Sequence, residues 1–208
     1  VAAAILFVTN IKEQPIEGKQ STFTECFGLL KDKLVFMLFL GILVHVGVDV
    51  GINLTAPKLL MERLNMTLAD AGYSTSLYFL FRTLGCFSGA IILARFSAKK
   101  FFIISVAAMV IAVAGLYFGN SLLSLYICVA LIGFGNSNVF SIMFSQALLH
   151  LPKRNNEISG LMVMGISGGA VFPLLMGIAS DALSGQIGAV IVLTICVSYL
   201  VVLAPKIK

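Results

Sequence analysis

Tryptophan is absent from these 208 residues, and histidine occurs only twice. Charged side chains make up 11% of the chain, against about 25% in a typical soluble domain. With 59% of residues hydrophobic, a water-soluble fold of this length has too little interior to hide its apolar surface. Without tryptophan, an interfacial aromatic belt has to come largely from Tyr73, Tyr78, Tyr117, Tyr126 and Tyr199. The four cysteines, Cys26, Cys86, Cys128 and Cys196, lack metal-ligand spacing, and three sit inside apolar runs. They read as small hydrophobes. Also missing are a carboxylate pair with protease spacing, His-Glu-x-x-His, a phosphate-binding loop and Gly-x-Ser-x-Gly. An enzyme, a cofactor and a metal site are therefore not expected. Basic residues are not interleaved with aromatics, which argues against a nucleic-acid partner.

Six long apolar runs are present instead: Leu34–Leu54, Ala71–Ala94, Phe101–Phe118, Leu122–Leu149, Ile158–Ser180 and Ile187–Ala204. A hydrocarbon core about 30 Å thick takes roughly 20 helical residues to cross, and in lipid a helix satisfies its own backbone. The sequence therefore predicts an all-α membrane protein with six transmembrane helices. Lysine and arginine fall on alternate connections. Lys12, Lys19, Lys31 and Lys33 precede the first run, Arg95, Lys99 and Lys100 follow the second, Lys153 and Arg154 the fourth, and Lys206 and Lys208 the last. The other connections hold only Lys58 and Arg63. The positive-inside rule puts the first set, and both ends of the segment, in the cytoplasm. The basic loops then face anionic lipid headgroups.

Val1–Val8 is apolar but too short to span, and it lacks a basic leader region. It is expected to be the cytoplasmic end of an earlier helix, which makes the chain the C-terminal part of a longer membrane protein. Residues 9–33 form a polar connector whose later part, Thr22–Leu30, is expected to be an amphipathic surface helix. Thr55–Asp70 is expected as the one long outer loop, with a short interfacial helix at Leu59–Asn65. Asn65-Met66-Thr67 matches a glycosylation acceptor, which in a bacterial protein is a chance match. The remaining loops are short, so consecutive spans are antiparallel neighbours.

Polarity divides the spans. The third and sixth are apolar almost all round and suit lipid, whereas the first, second and fourth carry deep polar groups and should face a wet interior. This division into two sets of three resembles that of membrane carriers built from inverted repeats. His45, Asp49 and Asn53 are spaced i, i+4, i+8 on one helix face. They form either a cavity-facing stripe for a hydroxyl-rich solute or a proton, or a hydrogen-bonded cluster holding helices together. Arg82 is the one basic residue deep in a run, and Asp49 the one deep carboxylate, so an Asp49–Arg82 pair is expected. The alternatives for Arg82 are capping of carbonyls or attraction of an anionic solute. Asn136 and Asn138 lie beside Gly133 and Gly135, where a helix can loosen around a ligand. Asparagine amides suit sugar hydroxyls and equally serve as interhelical glue. The glycines of the fifth run, with Pro173, read as a packing seam.

The stretch from Val163 to Asp181, VMGISGGAVFPLLMGIASD, resembles the eleventh helix of the fucose and glucose/galactose–proton symporters of the major facilitator superfamily. Gly85, Gly89 and Arg95-Phe96 followed by Lys99-Lys100 resemble that family's eighth helix and its cytoplasmic loop. Gly47-Val48-Asp49 sits where relatives carry Gly-Ala-Glu or Gly-Ala-Gln. The resemblance implies helices seven to twelve of a twelve-helix transporter in a bacterial inner membrane, whose N-terminal half is missing from this chain. It further implies alternating access, a monosaccharide and protons as partners, and a wall lined by His45, Asp49, Asn53, Arg82, Asn136 and Asn138. Relatives place the eighth-helix arginine one turn later than Arg82. Their coupling carboxylates lie in the other half. An organic anion as solute, or a non-transporting sensor of the same fold, are the alternatives.

Overall fold

A computed structural model describes residues 22–207. The expected helix end at Val1–Val8, and residues 9–21 of the connector, lie outside the described residues. The chain enters on a short helix, Phe23–Gly28, started by a reciprocal cap. Thr22 Oγ1 accepts from the Glu25 backbone N–H, and the Glu25 carboxylate accepts from the Thr22 N–H at 2.8 Å. Phe23 is 77% exposed, as the outward side of a surface helix.

Asp32 then starts the first span. Its Oδ1 accepts the backbone N–H groups of Leu34 at 2.9 Å and Val35 at 3.0 Å, closing two orphan donors at a helix N-terminus. This helix runs from Lys33 to Leu64, 32 residues, or about 48 Å. The long outer loop with its own helix at Leu59–Asn65 is therefore not observed: one helix passes straight through Pro57. Proline lacks the N–H that would bond the carbonyl four residues earlier. Here that carbonyl belongs to Asn53 and accepts from Thr75 Oγ1 of the next span at 3.4 Å. Ala56, Leu59 and Leu60 are buried on the continuing turns, so packing favours continuation. Asn65, with φ of 52°, ends the helix.

The six candidate spans among the described residues are Lys33–Leu64, Leu68–Leu93, Ala98–Phe118, Leu122–His150, Pro152–Ala182 and Ile187–Lys206. Two are interrupted. The fourth consists of helices Leu122–Asn136 and Val139–His150, broken at Ser137 and Asn138. The fifth consists of Asn155–Met164 and Gly168–Ala182 joined by a 3₁₀ turn, Gly165–Ser167.

The first span is central and packs against the second, fourth, fifth and sixth. Gly168 of the fifth span lies against the Leu43 carbonyl, and Gly47 of the first against the Phe172 ring, so neither position has room for a Cβ. The second and fourth spans pair as closely, with Gly133 against the Tyr78 carbonyl and Gly89 against the Asn138 amide. The third and sixth spans bury 44% of their most apolar windows, whereas the second and fifth bury only 17% and 28%. The second and fifth flank the open side of the bundle, and the third and sixth pack on each other behind it.

Arg95, Lys99, Lys100, Lys153 and Arg154 mark one face, called inner below; the opposite face is called outer. At the inner face, His150 Nε2 lies 3.0 Å from Asp32 Oδ2, joining the fourth span to the first. At the outer face, Arg63 Nη1 donates to the carbonyls of Leu116 and Gly119, both at 2.7 Å, at the end of the third span. Its neighbour Glu62 accepts from the Gln186 N–H at 2.7 Å, at the start of the sixth.

Candidate functional site

Tyr78 and Arg82 are four residues apart and share one face of the second span. Both reach Asp49 on the first. The Tyr78 hydroxyl and Arg82 Nη1 donate to Asp49 Oδ1, and Arg82 donates also to Oδ2. The helical rise puts Asp49 about 24 Å from Lys33, and Arg82 about 17 Å from Leu93 at the inner end of its own span. The long guanidinium side chain covers the difference in height. An isolated charge at this depth is expensive, and each partner here removes the other's cost. The pair is not sealed: the Arg82 side chain is 29% exposed and that of Asp49 17%. Ligand or water thus has access from the open side of the bundle.

Tyr78 itself is fully buried. Its oxygen also accepts from Asn136 Nδ2 at 3.0 Å, linking the first, second and fourth spans through one hydroxyl. His45, one turn below Asp49, is 1% exposed. Its ring centre lies 6.3 Å from that of Phe140. Asn53 turns back on its own helix, with Nδ2 donating to the Asp49 carbonyl at 2.7 Å. Three buried polar atoms beside the pair have no partner: His45 Nδ1, Asn53 Oδ1 and Asn136 Oδ1. Buried polar atoms are seldom left unsatisfied, and each of the three is a place for a water or a solute hydroxyl.

Asn138 stands apart from this cluster. Its Nδ2 donates to the Gly85 carbonyl at 2.8 Å and to Ser137 Oγ at 2.9 Å, holding the second span at the break in the fourth. Of the six residues singled out from sequence, the structure thus gathers Asp49, Arg82, Asn136, His45 and Asn53 into one neighbourhood, with Asn138 as a strut beside it. The sequence reading missed Tyr78, assigning it to the interfacial belt. The available signal was its spacing of four from Arg82. The belt itself is thinner than expected, because Tyr117 bonds Thr194 Oγ1 at 2.8 Å and Tyr199 donates to the Met37 carbonyl at 3.0 Å. Among the described residues, no group of three histidine, cysteine, aspartate or glutamate side chains is placed to hold a metal ion.

Six apolar spans around a paired, accessible charge define a multi-pass membrane protein with a polar site inside the bundle. The chain belongs to the Major Facilitator Superfamily, whose model matches residues 16–207, a family of transporters and not of enzymes. It is 26% identical over 173 residues to proteins described as candidate glucose/galactose transporters in two strains of Helicobacter pylori, covering 83% of this chain and 41% of each relative. It also superposes on two crystal structures of the fucose:proton symporter FucP, the first from Escherichia coli. One is of a single-residue variant, with a TM-score of 0.74 at 20% identity, covering 99% of this chain and 52% of that one. The other is in the outward conformation, with a TM-score of 0.75 at 20% identity, covering 99% and 51%. The chain therefore spans about two fifths to one half of the length of the proteins it matches.

Proposed function

We propose that this chain forms the C-terminal wall of a secondary transporter that takes up a monosaccharide together with protons by alternating access. The observation that carries this reading is the Asp49–Tyr78–Arg82 cluster. It is a charge pair deep in the spans, open on one side, with unsatisfied polar atoms of His45 and Asn53 one turn below and above Asp49 and of Asn136 on the facing span. Donors and acceptors mixed in this way match hydroxyls, which give and take hydrogen bonds at once. The sugars for which the Helicobacter relatives and the fucose:proton symporter are named support the same solute class. In this reading the coupling carboxylate lies in the other half, and a solute that competes for Asp49 or Arg82 opens their pair, so that occupancy and conformation are linked. An anionic solute steered by Arg82 is disfavoured, since Asp49 already neutralises that cation. The basic face is cytoplasmic in this reading, and Asn138 acts by positioning the second span.

The test is counterflow of labelled D-glucose, D-galactose and L-fucose into proteoliposomes holding the full-length protein. Exchange of at least one is expected, and net uptake of that sugar is expected to be driven by an inward proton gradient. Absence of exchange for all three removes the sugar assignment, and net uptake indifferent to the proton gradient removes the proton.

A further inference from the structure

A second polar cavity, of about 100 Å³, lies between the outer ends of the first, fifth and sixth spans. Its walls include Thr55 and Lys58 of the first span, Ser180 and Asp181 of the fifth, and Gln186 at the head of the sixth. Thr55 and Ser180, at 3% and 9% exposure, are buried residues that line it. Lys58 and Asp181 come from different helices to the same cavity. Among the described residues neither side chain makes an ion pair or a hydrogen bond. Lys58 is 25 residues beyond Lys33 and Asp181 is 26 beyond Asn155, so both stand about 38–39 Å above the inner ends of their helices. That is outside a hydrocarbon core of about 30 Å, at the level of the outer mouth. On the first helix, Val50, Leu54 and Lys58 continue upward along the partly open stripe that Asp49 and Asn53 edge on its other side. Lys58 lies nine residues beyond Asp49, half a turn round the helix from it, so the cavity and the Asp49 cluster border the partly open face of the first span from opposite edges, about 13 Å apart in height.

We propose that this cavity is an outer recognition site for the hydroxyl-bearing solute, occupied before the Asp49 cluster; the inference rests on the sugar reading above. A free anion would meet Asp181 and a free cation would meet Lys58. A pair of neighbouring hydroxyls satisfies both, donating to the carboxylate and accepting from the ammonium, with Thr55, Ser180 and the Gln186 amide able to do either. The volume equals about three waters at roughly 30 Å³ each, which fits one edge of a sugar ring while the rest stays in the open mouth.

The experiment uses the full-length protein in proteoliposomes, with the three labelled sugars as probes and Lys58→Met/Asp181→Asn as the variant. Entry from the face opposite the basic loops is expected to show a KM raised about tenfold, the loss of roughly two hydrogen bonds. The maximal rate, and the KM from the basic face, stay at the parent values. A merely structural role would lower the maximal rate from both faces, and that result overturns the proposal, as does an unchanged outer KM. A second readout, from Leu54→Cys in a background without other accessible cysteines, is labelling by an impermeant maleimide. The transported sugar should protect Cys at this position, and Lys58→Met should weaken the protection; labelling indifferent to sugar also overturns the proposal. If the parent carries none of the three sugars, the sugar reading and this site fail together. If the parent carries one and the outer KM of the variant is unmoved, the outer site alone fails.

Discussion

At the scale of single residues, the Asp49–Arg82 pair makes neutralisation of one partner costly, because the other is left charged inside the bundle. Asp49→Asn and Arg82→Ala are each expected to lower counterflow by about tenfold or more, and the double replacement to be no worse than the poorer single. Such non-additivity is what contact predicts; strictly additive losses would show that the two act separately. Tyr78→Phe removes one hydroxyl that serves Asp49 and Asn136 together. It strands the Asn136 amide in a buried place and should cost about 1–3 kcal/mol of stability, read as a lower unfolding midpoint. Transport should fall less than in Asp49→Asn, since Arg82 still holds the carboxylate. The charge pair was legible in the sequence because Asp49 and Arg82 were the one deep acid and the one deep base. Tyr78 was not, because tyrosine in an apolar run reads equally well as a belt residue, and only the fold shows which way it points.

At the scale of elements, the spans were visible as apolar runs, but their ends and breaks were not. Continuation through Pro57 depends on Thr75, a residue from another helix that supplies the donor proline lacks. Asn136 and Asn138 looked equivalent in sequence. The break at Ser137 and Asn138 separates them, leaving Asn136 on the cluster and Asn138 on Gly85. Asn138→Ala should therefore lower the unfolding midpoint by loosening the second span, with about 1–2 kcal/mol for the lost bonds. Its effect on the maximal rate should exceed any effect on KM. Asp32 joins two elements at the inner face. The Val35 N–H, and then His150, stabilise its ionised form and hold its carboxyl below the ordinary value of 3.8. A lowered carboxylate contributes stability that is fully present above its ordinary value and is lost as pH falls through the lowered one. The unfolding midpoint of Asp32→Ala should thus lie below that of the parent at pH 5–7, by the usual cap loss of about 0.5–2 kcal/mol. The gap should close only as the pH drops under 3.8; a gap independent of pH down to that range and beyond would contradict the ionised cap.

At the scale of the whole molecule, apolar content and loop charge were enough to read a six-span bundle. Polar composition suggested that the third and sixth spans suit lipid, and they pack on each other behind the open side that the second and fifth flank. The clamps at the outer face were hidden: Glu62 and Arg63 looked like loop charges, and each closes the end of a distant helix. Arg63→Ala is expected to lower the unfolding midpoint of the purified protein by a few degrees, since two carbonyls at the end of the third span lose their donor. Solute affinity should not change, because Arg63 is far from Asp49 along the helix.

The unbroken first helix has one more consequence, a mechanical one. From Asp49 to Arg63 it is a lever arm of 14 residues, about 21 Å long, pivoting where the charge pair sits and pinned at its tip to two other spans. A tilt of about 5° at the pivot would carry the tip nearly 2 Å, the size of shift by which packed helices switch partners. In the transporter reading, a bond made or broken at Asp49 would in this way reach the outer ends of the third and sixth spans without any of their residues touching the solute.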